Sequence, residues 1–277
     1  MSKFNKVIAA ALITAGAFAA SSAQAGAQFT VNPNSNGLVT PGPLPAPSSF
    51  IADALGGASS ARIQQIGNSF NYTGQGYITY SAFQLNSQNV DAGTSYLNFS
   101  LPGSGVYGYG LYATFNQTFA CNAALGTGVT CSVTSIALNL YADPLADGKT
   151  TFIAATPTSN AMVTPAGTQI LLGSVNAGVG TAGIDAFGGA FQNINTNLIL
   201  TDAGKNFFIA PTPFFTMTLN AFNNFSGGVS SDGTGNFAIN DEHGNTGFGN
   251  VVPEPGSLAL FGLALAGVAA AGRRKAK

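Results

Sequence analysis

Beyond residue 68 the apolar side chains recur at every second position. In 77–85 the row Tyr77, Thr79, Ser81, Phe83 and Leu85 alternates with Ile78, Tyr80, Ala82 and Gln84, and in 133–141 Ile136, Leu138 and Leu140 alternate with Ser135, Ala137 and Asn139. Successive side chains of a strand point to opposite faces, so a period of two predicts strands. The same alternation predicts strands over 95–101, 106–119, 150–155, 169–175, 193–201, 206–210 and 214–222, with turns at clusters such as Asp91-Ala92-Gly93 and Asp147-Gly148. A helix is predicted only over Ser49 to Leu55, with Ser48 as its cap and Gly56-Gly57 as its stop. Many strands without alternating helices point to an all-β chain, expected as an antiparallel β-sandwich or jelly-roll-like domain over residues 48–238.

Ahead of that body, residues 26–47 carry Pro33, Pro41, Pro43, Pro45 and Pro47. Proline fixes φ and removes a donor, so this segment reads as an edge strand at Phe29 to Val31 followed by a stiff extended linker. A polar Gly/Asn stretch, 239–252, reads as a second linker.

Composition changes the picture in two ways. Charged residues make up 7% of the 277, against about 25% in an average globular chain, yet 45% are hydrophobic and 21 are Phe. That apolar content is enough for a packed core and too much for a disordered chain. Six of the nine bases sit at the two ends, leaving Arg62, Lys149 and Lys205 against nine carboxylates between residues 26 and 250, a net of −6. Nucleic acid is therefore not an expected partner, since binding it requires a basic stripe.

The ends have their own logic. Lys3 and Lys6, an apolar run from Val7 to Ala20, and the small residues Ala23 and Ala25 around Gln24 form a secretory signal peptide, residues 1–25, with cleavage expected after Ala25. Residues 253–277 contain Pro253-Glu254-Pro255, an apolar segment from Ser257 to Gly272, and the bases Arg273, Arg274 and Lys275. Sixteen helical residues span roughly 24 Å, short of the ~30 Å hydrocarbon core, which predicts a single, marginal transmembrane helix with its basic end in the cytoplasm.

Few residues suggest chemistry. Cys121 and Cys131, the two cysteines of an exported chain, are expected to form a disulfide that clamps a hairpin. Tyr107, Tyr109 and Tyr112 alternate with glycines and could stack sugars, or could enter the core while the glycines let the strand bend. Asp143 and Asp147 flank what reads as a hairpin turn; turn capping is one role, a weak Ca²⁺ site the other. The single histidine, His243, lies in the predicted 239–252 linker, where no catalytic base would be held rigidly, and Glu242 is the body's one glutamate. No catalytic site, metal centre or cofactor is expected.

The tail resembles the PEP-CTERM sorting signal of Gram-negative bacteria: the Pro-Glu-Pro motif, short apolar helix and basic cluster occur here in that order. The resemblance implies an exosortase and the secretion machinery as partners, a transient inner-membrane anchor, and a final place outside the cell or on its surface. The body is similar to flocculation-associated PEP-CTERM proteins through Phe50-Ile51-Ala52-Asp53, Gly110-Leu111-Tyr112-Ala113, Leu140-Tyr141-Ala142-Asp143-Pro144 and Thr150-Thr151-Phe152. This second similarity implies a matrix protein that promotes cell aggregation through exopolysaccharide or other copies of itself. Its rivals are a lectin-like exopolysaccharide-binding module and a secreted polysaccharide hydrolase using aspartates.

Overall fold

The computed structural model describes residues 27–249, Phe225 apart. The expected leader (1–25) and the expected sorting segment (253–277) lie outside these residues. Within them no helix is long and apolar enough to cross a membrane.

The chain is all-β, as its period of two requires. Eight antiparallel strands follow one another around a closed barrel: β1 (Ala54–Gln65), β2 (Asn71–Leu85), β3 (Tyr109–Cys121), β4 (Val129–Pro144), β5 (Gly178–Ile184), β6 (Ala190–Asn197), β7 (Met217–Asn223) and β8 (Asn236–Gly249). Each except β4 pairs with the next, β4 pairing instead with strand Ile170–Val175 and packing beside β5, and β8 returns to β1 in a long ladder from Asn236↔Gln64 to Gly247↔Ala54. The β4–β5 seam closes tightly: the Gly128 amide donates to the Ile184 carbonyl at 2.9 Å, and a side chain at Gly183 would collide with the Val129 carbonyl. The expected sandwich is thus corrected to a barrel. Alternating faces serve both architectures equally; what separates them is whether twist brings the last strand back to the first, and here it does.

The connections divide the barrel into two unlike poles. At one pole the links are short: 66–70, 122–128 and 185–189, with 224–235 carrying a small strand, Val229–Ser231. At the other stand every long insertion (86–108, 145–177, 198–216), the N-terminal segment and the end of β8. A three-stranded sheet, 208–210 with Phe29–Val31 and Phe50–Ala52, lies across this second pole. Its aromatics close the mouth, with Phe29 edge-on to Phe248 (4.9 Å between centroids) and Phe208 (5.8 Å), and Phe50 edge-on to Phe83 (5.0 Å). Such tilted and edge-to-face pairs are the preferred ring geometries.

Several local expectations change for tertiary reasons. Residues 49–55 form strand, not helix, because Phe50 and Ala52 are drawn into the core by pairing with Phe29 to Val31. Phe29 to Val31 is the central strand of its sheet instead of an edge, since 208–210 pairs on its other side. The proline segment does not hang free: Leu38 and Val39 are buried, and Thr40 exchanges backbone hydrogen bonds of 2.8 Å with Tyr107. In 95–101 only Ser100–Leu101 is strand, after a helical turn 92–95 capped by Asp91. A helix, 202–207, capped by Thr201, precedes strand 208–210.

The largest correction concerns 239–252. Up to Gly249 this stretch is the eighth wall of the barrel, paired on both sides, so the body runs through 249 instead of stopping at 238. Its period is broken by a bulge: Asn240 pairs Ser60, Glu242 pairs Ser59, and Asp241 sits between them at φ 54°. Odd residues (Phe237, Ile239) pack on the core before the bulge and even residues (Glu242, Thr246, Phe248) are buried after it.

Candidate functional site

The barrel interior is filled. Tyr72, Ile78, Leu111, Ala113, Phe115, Ile136, Leu138 and Ile194 are buried, and the void that remains near the short-loop pole is about 30 Å³, room for about two waters. That pole is closed by Tyr72, whose hydroxyl accepts from the Leu125 amide at 2.8 Å, and by the hairpin clamp Cys121–Cys131, bonded across the β3–β4 register as expected. A barrel packed this way cannot carry a sizeable ligand inside, in contrast to barrels that enclose a ligand cavity.

Polar side chains cross the interior as a relay. Tyr80 donates to Thr246 (3.1 Å), Thr246 to the Asn220 side-chain oxygen (2.7 Å), and the Asn220 amide to Thr218 (3.0 Å), which bonds Thr196 in turn. Burial pushes the Tyr80 phenol up to about 12, so it remains a donor. Gln117 donates to Gln192 at 3.0 Å, while its own side-chain oxygen is buried without a partner. Glu242 receives one hydrogen bond, from Ser59 at 2.7 Å. Burial raises its carboxyl to about 7, the Ser59 bond offsetting only part of the desolvation.

Neighbouring residues of β8 face opposite ways. Glu242 is buried, whereas its neighbour His243 is exposed, as strand alternation demands.

The tyrosines do not form a platform. Tyr109 and Tyr112 are three residues apart, an odd spacing, so they leave β3 on opposite faces, and both are buried. Tyr109 packs edge-on against Phe207 (5.5 Å), and its buried hydroxyl has no hydrogen-bond partner. Tyr112 lies outside the barrel wall, stacked on Tyr141 (5.2 Å) and bonded to Gln169 (2.7 Å), under Phe152 of the insertion 145–177. Only Tyr107 keeps partial exposure, and it belongs to the short strand Val106–Tyr107. The sugar-stacking expectation is corrected accordingly.

The acidic pair serves the backbone. Asp143 is buried and accepts from the Thr150 amide (3.0 Å) with one oxygen and from Gln169 (2.7 Å) with the other. Asp147 accepts from the Thr168 amide (2.8 Å). The Asp143 bonds fasten the insertion to β4 and the Asp147 bond closes the insertion on itself, and among the described residues no three His, Cys, Asp or Glu side chains gather as a metal group.

Two surface features remain. On the outer wall of β1 to β4, an open groove of about 330 Å³ is lined by the uncharged amides and hydroxyls of Gln64, Thr73, Gln75, Asn116, Thr118 and Ser135, with Gly74, Ile136 and Ala137 among them. At the insertion pole, an apolar groove of about 530 Å³ runs between 198–200 and 208–216, with Phe208, Ile209, Pro211, Phe214 and Phe215 in its walls. Sequence reasoning missed both. The outward row of β2 and β3 was readable as Thr and Gln or Asn, but its meaning depended on which strands are neighbours.

The PEP-CTERM protein-sorting motif matches residues 251–275, beginning two residues after β8 ends at the insertion pole. No curated protein and no solved structure matches the chain. The motif implies processing by exosortase and a secreted or cell-surface location in a Gram-negative bacterium.

Proposed function

We propose that the chain is a non-catalytic structural protein of the extracellular matrix that promotes cell aggregation, retained among cells by exopolysaccharide or by other copies of itself. In this reading the leader is removed after Ala25, and residues 253–277 hold the chain transiently in the inner membrane until exosortase releases it. The observation that carries the reading is the sorting motif placed directly after the last wall of a filled barrel. A protein addressed outside, with no room for a ligand in its core, must act through its surface.

That surface fits the role. The outward positions Thr73, Gln75, Asn116, Asn193 and Asn195 are exposed amides and hydroxyls, the reverse of the apolar band that a lipid-facing barrel presents. With few charges, little repulsion opposes contact between copies. The disulfide hardens the short-loop pole for an oxidising exterior.

A second reading is favoured by the amide-lined groove on β1 to β4. Its chemistry suits sugar hydroxyls, and it would make the protein an exopolysaccharide-binding module without an aromatic platform.

Deleting residues 253–277 tests the main proposal. The truncated protein is expected to change its partition between envelope and medium, and cells producing it are expected to aggregate less than those with the full chain. Unchanged location together with unchanged aggregation would refute it. Loss of matrix retention on adding free polysaccharide, with saturation, would favour the second reading over copy-to-copy contact.

A further inference from the structure

The two poles of the barrel carry complementary apolar features. At the short-loop pole, the turn 185–189 between β5 and β6 raises Phe187 to 88% exposure, the highest among the large hydrophobic residues described. The turn is braced from within: one Asp185 side-chain oxygen accepts from the Phe187 amide (2.8 Å) and the Gly189 amide (2.9 Å), and the Asp185 amide donates to the Gly189 carbonyl (2.8 Å). An exposed aromatic on a braced turn loses little conformational freedom when it binds.

At the far end of the same strand, β6, the chain enters the walls of the 530 Å³ groove. A dry cavity of roughly 150 Å³ suffices for a benzene ring, so a phenyl group fits with space for the neighbours that would exclude water. Ile199 and Ile209, at 53% and 39% exposure, flank the groove. Lys205 is its one charged lining residue, and Asp185 is the one charged residue of the turn. Lys205 already pairs with Asp202 at 2.9 Å, but both are exposed, and such a pair is easily exchanged.

We propose that Phe187 of one copy seats in the 198–216 groove of the next, joining copies head to tail. Knob and groove lie at opposite poles, so the contact is heterologous: each copy keeps one free knob and one free groove, and growth is open-ended. A single aromatic anchor supports weak contacts that multiply along a chain, which suits assembly at the high local concentration of a matrix. The inference deepens the structural-protein reading and rests on it for its biological setting.

The test uses mature protein released by cells, studied by sedimentation over a concentration series. Wild type is expected to grow in mean mass without a plateau. Phe187→Asp and Ile209→Asp are each expected to weaken association at least tenfold, with far-UV circular dichroism and melting unchanged. Should Ile209→Asp fail to fold, Ile199→Asp replaces it. Val179→Asp, at another exposed site, should assemble as wild type. An equimolar mixture of the knob and groove variants, each with one intact pole, should give one-to-one dimers and nothing longer. Wild-type assembly by Phe187→Asp, or no dimer in the mixture, would overturn the proposal. Monomeric wild type, with aggregation still dependent on the gene, would sink the polar contact and spare the matrix role. Assembly in solution, with cells that aggregate regardless of the gene, would do the reverse.

Discussion

Glu242 makes the stability of this barrel depend on pH in a direction opposite to that of an ordinary salt-bridged carboxylate. It is buried in the interior with one hydrogen bond, from Ser59. Its carboxyl stands at about 7 instead of the ordinary 4.5, chiefly through desolvation. When the folded pKa is the higher one, the folded state binds more protons between the two values, so stability falls as pH rises across that window. The full effect is present below about 4.5, is lost progressively between about 4.5 and 7, and stays lost above. At about 1.4 kcal/mol per pH unit, the loss is about 3 kcal/mol, a large share of a typical domain's stability. The assay is urea unfolding of the mature protein at pH values from 4.5 to 8.5, followed by tyrosine fluorescence and circular dichroism, since the chain has no Trp. Glu242→Gln keeps the shape and an acceptor for Ser59 while removing the charge. The variant is expected to match wild type near pH 4.5 and to exceed it by up to about 3 kcal/mol at pH 8. Asp232 acts in a separate window: its bonds to Asn236 and Thr234 hold the carboxylate below the usual range, so its contribution is lost only as pH falls into the acid region. Parallel stability curves for wild type and Glu242→Gln from pH 4.5 to 8.5 would refute the reasoning.

Two further outcomes follow from the packing. Replacing Cys121 and Cys131 by Ser frees a ten-residue interval at the short-loop pole and is expected to cost about 3 kcal/mol in a denaturant titration; a cost under about 1 kcal/mol would show that the hairpin is held by its neighbours instead. Tyr109→Phe removes a buried hydroxyl without a partner, in a ring already fixed by Phe207, and is expected to raise stability by about 1 kcal/mol. A drop of similar size on calorimetric melting would mean that the hydroxyl has a use the packing does not reveal.

Much of this fold could be read along the chain because a strand's two faces see different surroundings. The alternation in β2, β3 and β4 named those strands, and export plus two cysteines named the disulfide. The segment 239–249 was illegible for the same reason inverted. Its inward residues Glu242 and Thr246 are polar, and the bulge at Asp241 shifts the phase, so no period of two survives. Residues 49–55 misled because local helix propensity is weaker than a backbone ladder together with the burial of Phe50, Ala52 and Leu55.

What is local could be read along the chain: the strand period, the low charge, and the sorting motif at 251–275, each legible because its chemistry lies in consecutive residues. Closure of the barrel, the burial of Tyr109 and Tyr112 on opposite faces, the inward turn of Glu242, and the placing of Phe187 and the apolar groove at opposite poles emerge only when the chain is folded. These depend on which distant strands become neighbours, a choice made by sheet twist and by the collective burial of aromatic rings, and no short stretch of residues encodes it.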